Sequence, residues 1–128
     1  MENLILSKNE FTPSVNFDIS SRVLIIEGRC IPEDAHSFFT PIINRISSVF
    51  ENNRFDKHDE FQLKIFCDYY NSASAKMLVY LFDKVAEIQK GGYNLLVSWH
   101  CNIDDPELID SVNDYTTITD AIIEVKHI

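Results

Sequence analysis

Glycine is scarce, with three in 128 residues. A Walker-type phosphate loop or a dinucleotide-binding turn needs several glycines close together, so both are excluded. A Gly-x-Ser-x-Gly elbow is missing too, and His36, His58, His100 and His127 have no serine nucleophile of that kind to serve. Cysteine is equally sparse. Cys30, Cys67 and Cys101 are odd in number, far apart and without a Cys-x-x-Cys pair, the usage of reduced thiols in a cytoplasm. Basic residues are outnumbered, 11 Lys and Arg against 20 Asp and Glu, for a net charge of −9. That balance argues against nucleic acid or an anionic membrane as partner, and leaves a basic protein surface open. No apolar run approaches a membrane span. Met1-Glu2-Asn3-Leu4-Ile5-Leu6 lacks the basic start and cleavage site of a signal peptide, so a cytoplasmic protein is expected.

What remains is the composition of a folded domain: 45% hydrophobic and 24% charged residues. One domain over residues 1–128 is expected, with 1–13 as a lead-in ended by Thr12-Pro13. Strands are expected at residues 14–18 and 22–28, the second continuously apolar through Val23-Leu24-Ile25-Ile26. A helix should open near Pro32-Glu33-Asp34. Ala35, Phe38, Phe39, Ile42, Ile43, Ile46, Val49 and Phe50 form its apolar stripe, with Pro41 inside as a kink. After a polar loop at 52–59, residues 61–67 read as a central strand with Phe61, Leu63, Ile65 and Cys67 on one face. A second helix carries Met77, Leu78, Leu81, Phe82, Val85 and Ile88 on one stripe and ends at Gly91-Gly92. The next strand, 93–99, should lie parallel to the one before the helix. Asp105-Pro106-Glu107 starts a last helix reaching about Tyr115, and 121–126 reads as an edge strand. The sum is an α/β sandwich, a mixed sheet of about five strands with about three helices packed against it.

The densest chemistry lies at residues 67–76, where strand passes into helix. Helix-start N–H groups have no intrahelical partner, and the helix dipole adds partial positive charge, so this junction suits an anion. Ser72, Asn71 or Ser74 can serve as the cap, a role worth about 1 kcal/mol. More hydroxyl and amide groups are present than one cap requires. Lys76 lies one turn on, and Tyr69-Tyr70 precede the turn as contact surface. A phosphate on Ser72 would add about −1.5 to −2 charge at a helix N-terminus.

Other constellations are weaker. His100 and Cys101 adjoin Asn102, Asp104 and Asp105, but neighbouring strand residues point to opposite faces, so one ion cannot take both. Asp59-Glu60 and Asp104-Asp105 fit solvated loops, and Trp99 fits the core. Neither catalysis, metal nor cofactor is expected.

With these residues in place, the chain resembles the SiaC-type biofilm-regulation phosphoproteins, formerly a domain of unknown function. The resemblance runs from Thr12-Pro13 to the C-terminus. It is carried by Gly28-x-x-x-Pro32-Glu33, Tyr70-Asn71-Ser72-x-Ser74-x-Lys76, Gly91-Gly92 and Val97-x-Trp99. It implies a fold related to the anti-sigma-factor antagonists, and a phosphoacceptor directly after the asparagine, here Ser72. It also implies a dedicated serine/threonine kinase, a PP2C-like phosphatase, and an unphosphorylated form that binds a diguanylate cyclase and promotes cyclic di-GMP synthesis. Ala73 and Ala75 interrupt the fuller Ser/Thr run of the family, narrowing the acceptor to Ser72, with Ser74 second. The switch segment is then Tyr69, Tyr70, Asn71, Ser72, Ser74 and Lys76. An antagonist acting on an anti-sigma-factor kinase is the alternative within this architecture. A small enzyme with a metal or thiol site near His100-Cys101 is the alternative from another class.

Overall fold

The computed structural model describes residues 3–52 and 55–128. Met1 and Glu2 of the lead-in, and Asn53 and Arg54 of the polar loop, lie outside them. Six strands form one sheet: β1 (Leu4–Leu6), β2 (Ser14–Asp18), β3 (Val23–Glu27), β4 (Phe61–Phe66), β5 (Leu95–Cys101) and β6 (Ile123–His127). The helices are α1 (Ala35–Glu51), α2 (Ser72–Lys90) and α3 (Pro106–Thr119). Strand order in the sheet follows the sequence. The β1–β2 and β2–β3 pairs are antiparallel, and β3–β4, β4–β5 and β5–β6 are parallel, so the sheet is mixed.

Alternation fixes which face is covered. Phe61, Leu63 and Ile65 of β4 and Leu95, Val97 and Trp99 of β5 are buried beneath the helices with Val15, Phe17, Leu24 and Ile26. The alternate residues face the other way, and Asn16, Leu96 and, in β6, Glu124 are exposed there. A sheet with helices on one face only produces this period of two.

Four expectations are corrected. The lead-in contributes β1, whose Leu4–Leu6 pairs with residues 15–17, so the sheet has six strands where about five were expected. A three-residue edge strand is too short for its alternation to show. The strand expected at 93–99 is β5, Leu95–Cys101, two residues further on. The last helix passes Tyr115 and runs to Thr119, whose Oγ1 donates to Tyr115 O at 2.7 Å, until Asp120 turns left-handed at φ 65. The last strand, expected at 121–126, is β6 and begins two residues later, at Ile123, and elsewhere the pattern holds. Asp34 caps α1, and the helix continues past Pro41 instead of splitting there. Pro41 gives up an interior bond to Ser37 O, and the buried residues on either side of it, Phe39 and Ile42, keep both turns packed on the core.

Candidate functional site

The junction sits at the carboxyl ends of β3 and β4. Both strands stop at Glu27 and Phe66, but their chains stay side by side. Gly28 N–H donates to Phe66 O at 2.9 Å, Cys30 N–H to Tyr69 O at 2.9 Å, and Asn71 N–H to Cys30 O at 3.1 Å. Gly28 has φ +131, and a Cβ there would stand 3.1 Å from Pro13 Cα, so glycine is required for this close passage.

Asn71 is the cap of α2. Its Oδ1 accepts from the Ser74 N–H at 2.9 Å, and its Nδ2 donates to Pro32 O at 3.3 Å. One side chain thus closes the helix start and ties it to the segment entering α1. The three candidate caps are thereby separated. Asn71 caps. Ser74 is fully buried, its hydroxyl accepting from Cys30 Sγ at 3.5 Å. Ser72 is the first residue of α2, exposed, and its hydroxyl has no hydrogen bond among the described residues. Lys76, one turn along the same side, is also exposed and makes no ion pair among the described residues.

The two tyrosines part company. Tyr69 is 54% exposed, with the Arg29 guanidinium 5.6 Å from its ring centre. Tyr70 turns inward, half-buried, its ring 5.8 Å from Trp99 and 6.4 Å from Tyr115. Trp99 is wholly buried and its Nε1 donates to Cys67 O at 2.9 Å, holding the end of β4. Tyr115 donates through its hydroxyl to Ala75 O at 3.3 Å, in the first turn of α2. Burial first, and then the neighbouring Tyr70 side chain, push the Tyr115 phenol up, so it stays a neutral donor. Burial likewise pushes the Cys67 thiol up to about 12, with nearby Cys30 adding to it. A thiol in that state is not a nucleophile. Cys30, Pro32, Trp99 and Tyr115 therefore build the junction from distant parts of the chain, and no local pattern marks them as its partners.

The other candidate separates into two structural roles. His100 stacks on Phe66, ring centres 4.1 Å apart, with Nε2 3.1 Å from Ser98 Oγ on the open face of the sheet. Burial, then the Lys126 and Lys64 cations, push its pKa down. Cys101 points the other way and is wholly buried. Asn102 closes a turn onto Asp104 N–H, and Asp105 caps α3 through the Leu108 N–H. Among the described residues, no group of three or more His, Cys, Asp and Glu is placed to hold a metal ion. None of the described helices is long and apolar enough to cross a membrane.

The model of the SiaC family regulatory phosphoprotein matches residues 6–128. No curated protein matches the chain significantly in sequence. Among solved structures, apo-SiaC from Pseudomonas aeruginosa is similar with a TM-score of 0.86 at 17% identity, over 98% of this chain and 99% of that one. A second SiaC structure from that organism gives 0.80 at 20% identity, over 98% and 97%. A chain in the crystal structure of the diguanylate cyclase SiaD in complex with its activator SiaC, from the same organism, gives 0.87 at 17% identity, over 98% and 99%. At these identities the likeness establishes a common fold.

Proposed function

The chain belongs to the SiaC family of regulatory phosphoproteins, and we propose that its unphosphorylated form binds and activates a diguanylate cyclase until phosphate on Ser72 breaks that contact. The observation that carries this reading is the division of labour at the helix start. Asn71 does the capping, and the exposed Ser72 hydroxyl makes no hydrogen bond among the described residues. Modification there leaves the fold's own hydrogen bonds untouched, whereas Ser74 is enclosed beside Cys30 and out of a kinase's reach. The likeness to a chain in the SiaD–SiaC complex supports a cyclase as effector.

The switch is electrostatic. An added charge of about −1.5 to −2 at an interface must be desolvated or meet like charge when the partner docks. Stranding one buried unpaired charge costs several kcal/mol, about 3–5 by analogy with broken buried ion pairs, enough to empty a typical regulatory interface. A serine/threonine kinase writes the mark and a PP2C-like phosphatase removes it. The protein itself is a cytoplasmic, non-enzymatic regulator of cyclic di-GMP synthesis and biofilm formation.

The test is intact-mass and peptide mass spectrometry on protein from its native cell, beside a Ser72→Ala variant, with cyclase activity measured for each form. Phosphate mapping to Ser72, with activation by the unmodified form alone, is expected. A phosphate on another residue, or equal activation by both forms, overturns the reading.

A further inference from the structure

β6 is an outer strand of the sheet. It pairs in parallel with β5, and beyond its end Ile128 N–H donates to Cys101 O at 3.0 Å. Hydrogen-bonding direction alternates along a strand, so Glu124 and Lys126 also bond toward β5. Ile123, Val125 and His127 therefore turn their N–H and C=O groups outward, where they meet no partner among the described residues. An open edge of this kind is a template for a further strand. Glu124 and Lys126 stand beside Ser98 and His100 on the open face, both exposed and without an ion pair among the described residues. Ile122 and Ile128, at the two ends of the strand, are 73% and 69% exposed.

We infer that two copies of the chain join edge to edge through β6, antiparallel about Val125. This stands apart from the function proposed above, since no residue of the Ser72 junction lies on β6. A two-fold axis normal to the sheet makes the two strands antiparallel and keeps both sets of helices on one side. Pairing about Val125 joins the outward-turned groups, Val125 with the partner's Val125 and Ile123 with the partner's His127. Glu124 then falls opposite the partner's Lys126, and Lys126 opposite the partner's Glu124. These are non-hydrogen-bonded positions, where facing Cα atoms stand about 4.5 Å apart and opposite charges stabilise the pair. Ile122 meets the partner's Ile128 at each end, which removes exposed apolar surface from water. Charge also excludes the neighbouring registers. A slip of two residues one way sets Glu124 against the partner's Glu124, and the other way sets Lys126 against the partner's Lys126. Each copy carries −9, which opposes association at long range. At about 0.15 M salt, screening over about 8 Å removes most of that repulsion and spares the contact pairs.

Sedimentation equilibrium of the purified full chain at that salt, from micromolar to millimolar concentration, reads the association. A reversible monomer–dimer equilibrium is expected. Glu124→Lys or Lys126→Glu alone turns both attractive pairs into like-charge pairs and should weaken the dimer by about tenfold or more. An equal mixture of those two variants should recover the affinity as a mixed dimer, because every facing pair is then opposite in charge. Val125→Pro removes an outward N–H and should also abolish pairing. Thermal melts check that it folds, and the two charge variants alter exposed side chains only. A wild-type chain that stays monomeric overturns the self-pairing and leaves the edge to a strand of another protein. A dimer that survives both charge reversals, or a mixture of the two variants that stays monomeric, also overturns it.

Discussion

Asn71 Oδ1 accepts the backbone N–H of Ser74 at 2.9 Å, and this bond determines what each neighbouring residue is free to do. It closes α2 without any help from Ser72. The same asparagine reaches Pro32, so the start of α2 and the approach to α1 move together.

Removing the cap should cost stability while removing the candidate acceptor should not. Asn71→Ala loses both bonds and is expected to destabilise the protein by about 0.5–2 kcal/mol. Ser72→Ala deletes an exposed hydroxyl that has no hydrogen bond among the described residues, and should stay within about 0.5 kcal/mol of the wild type. Urea denaturation of the two variants checks this. Equal losses in both would mean that Ser72 shares the capping.

Phosphate at Ser72 should stabilise the isolated protein even as it ends partner binding. A negative group at a helix N-terminus contributes about 0.3–1 kcal/mol, and Lys76 one turn away adds to it. Phosphorylated protein is therefore expected to melt slightly above the unmodified form, with a smaller gain in Lys76→Ala. Calorimetry on the two forms in low salt reads the difference, which should shrink as salt is added.

The parts of this molecule that were legible in the sequence are those whose partners are near in the chain. Phe61, Leu63 and Ile65 alternate over enough residues to declare a strand with one covered face. The stripe Met77, Leu78, Leu81, Phe82, Val85 and Ile88 declares a helix, and all six are buried. Leu4–Leu6 was not legible, since a three-residue edge strand is made by its pairing with β2 and not by its own pattern. Nor was the reach of α3 to Thr119, because Thr116, Thr117 and Thr119 are poor helix formers. Helix contacts and the Thr119 bond to Tyr115 O outweigh that propensity. At the junction, the sequence offered Asn71, Ser72 and Ser74 as equal caps. Cys30, 44 positions from Ser74, and Pro32, 39 from Asn71, decide between them, and nothing local records those pairings.

The Cys67 thiol provides a pH signature. Its pKa is pushed from an ordinary value of 9.0 to about 12 by burial. Below pH 9 the folded and unfolded states both hold the proton, and the group's contribution to stability is intact. Between 9 and about 12 the unfolded chain releases its proton while the folded one keeps it, so stability falls as pH rises, by at most about 1.4 kcal/mol per unit from this group. Cys67→Ala should show a flatter decline above pH 9 in urea midpoints. At neutral pH, Cys67 in the native protein should resist iodoacetamide and react only after unfolding.

Tyr115 should matter to the start of α2 although it lies 40 residues away. Its hydroxyl donates to Ala75 O, and its ring lies against Phe82, Trp99 and Tyr70. Tyr115→Phe keeps the ring and deletes only the donor, so the expected loss is about 0.5–1.5 kcal/mol, the net worth of one hydrogen bond. The location of the effect is more telling than its size. Amide hydrogen exchange should quicken in residues 72–79 while β4 and β5 stay protected, because the bond ties down one helical turn and not the sheet. If the proposed partner docks along that turn, the same variant should weaken cyclase binding with Ser72 unmodified and Lys76 in place. Uniform exchange across the chain would instead make Tyr115 a general core residue with no particular hold on the switch.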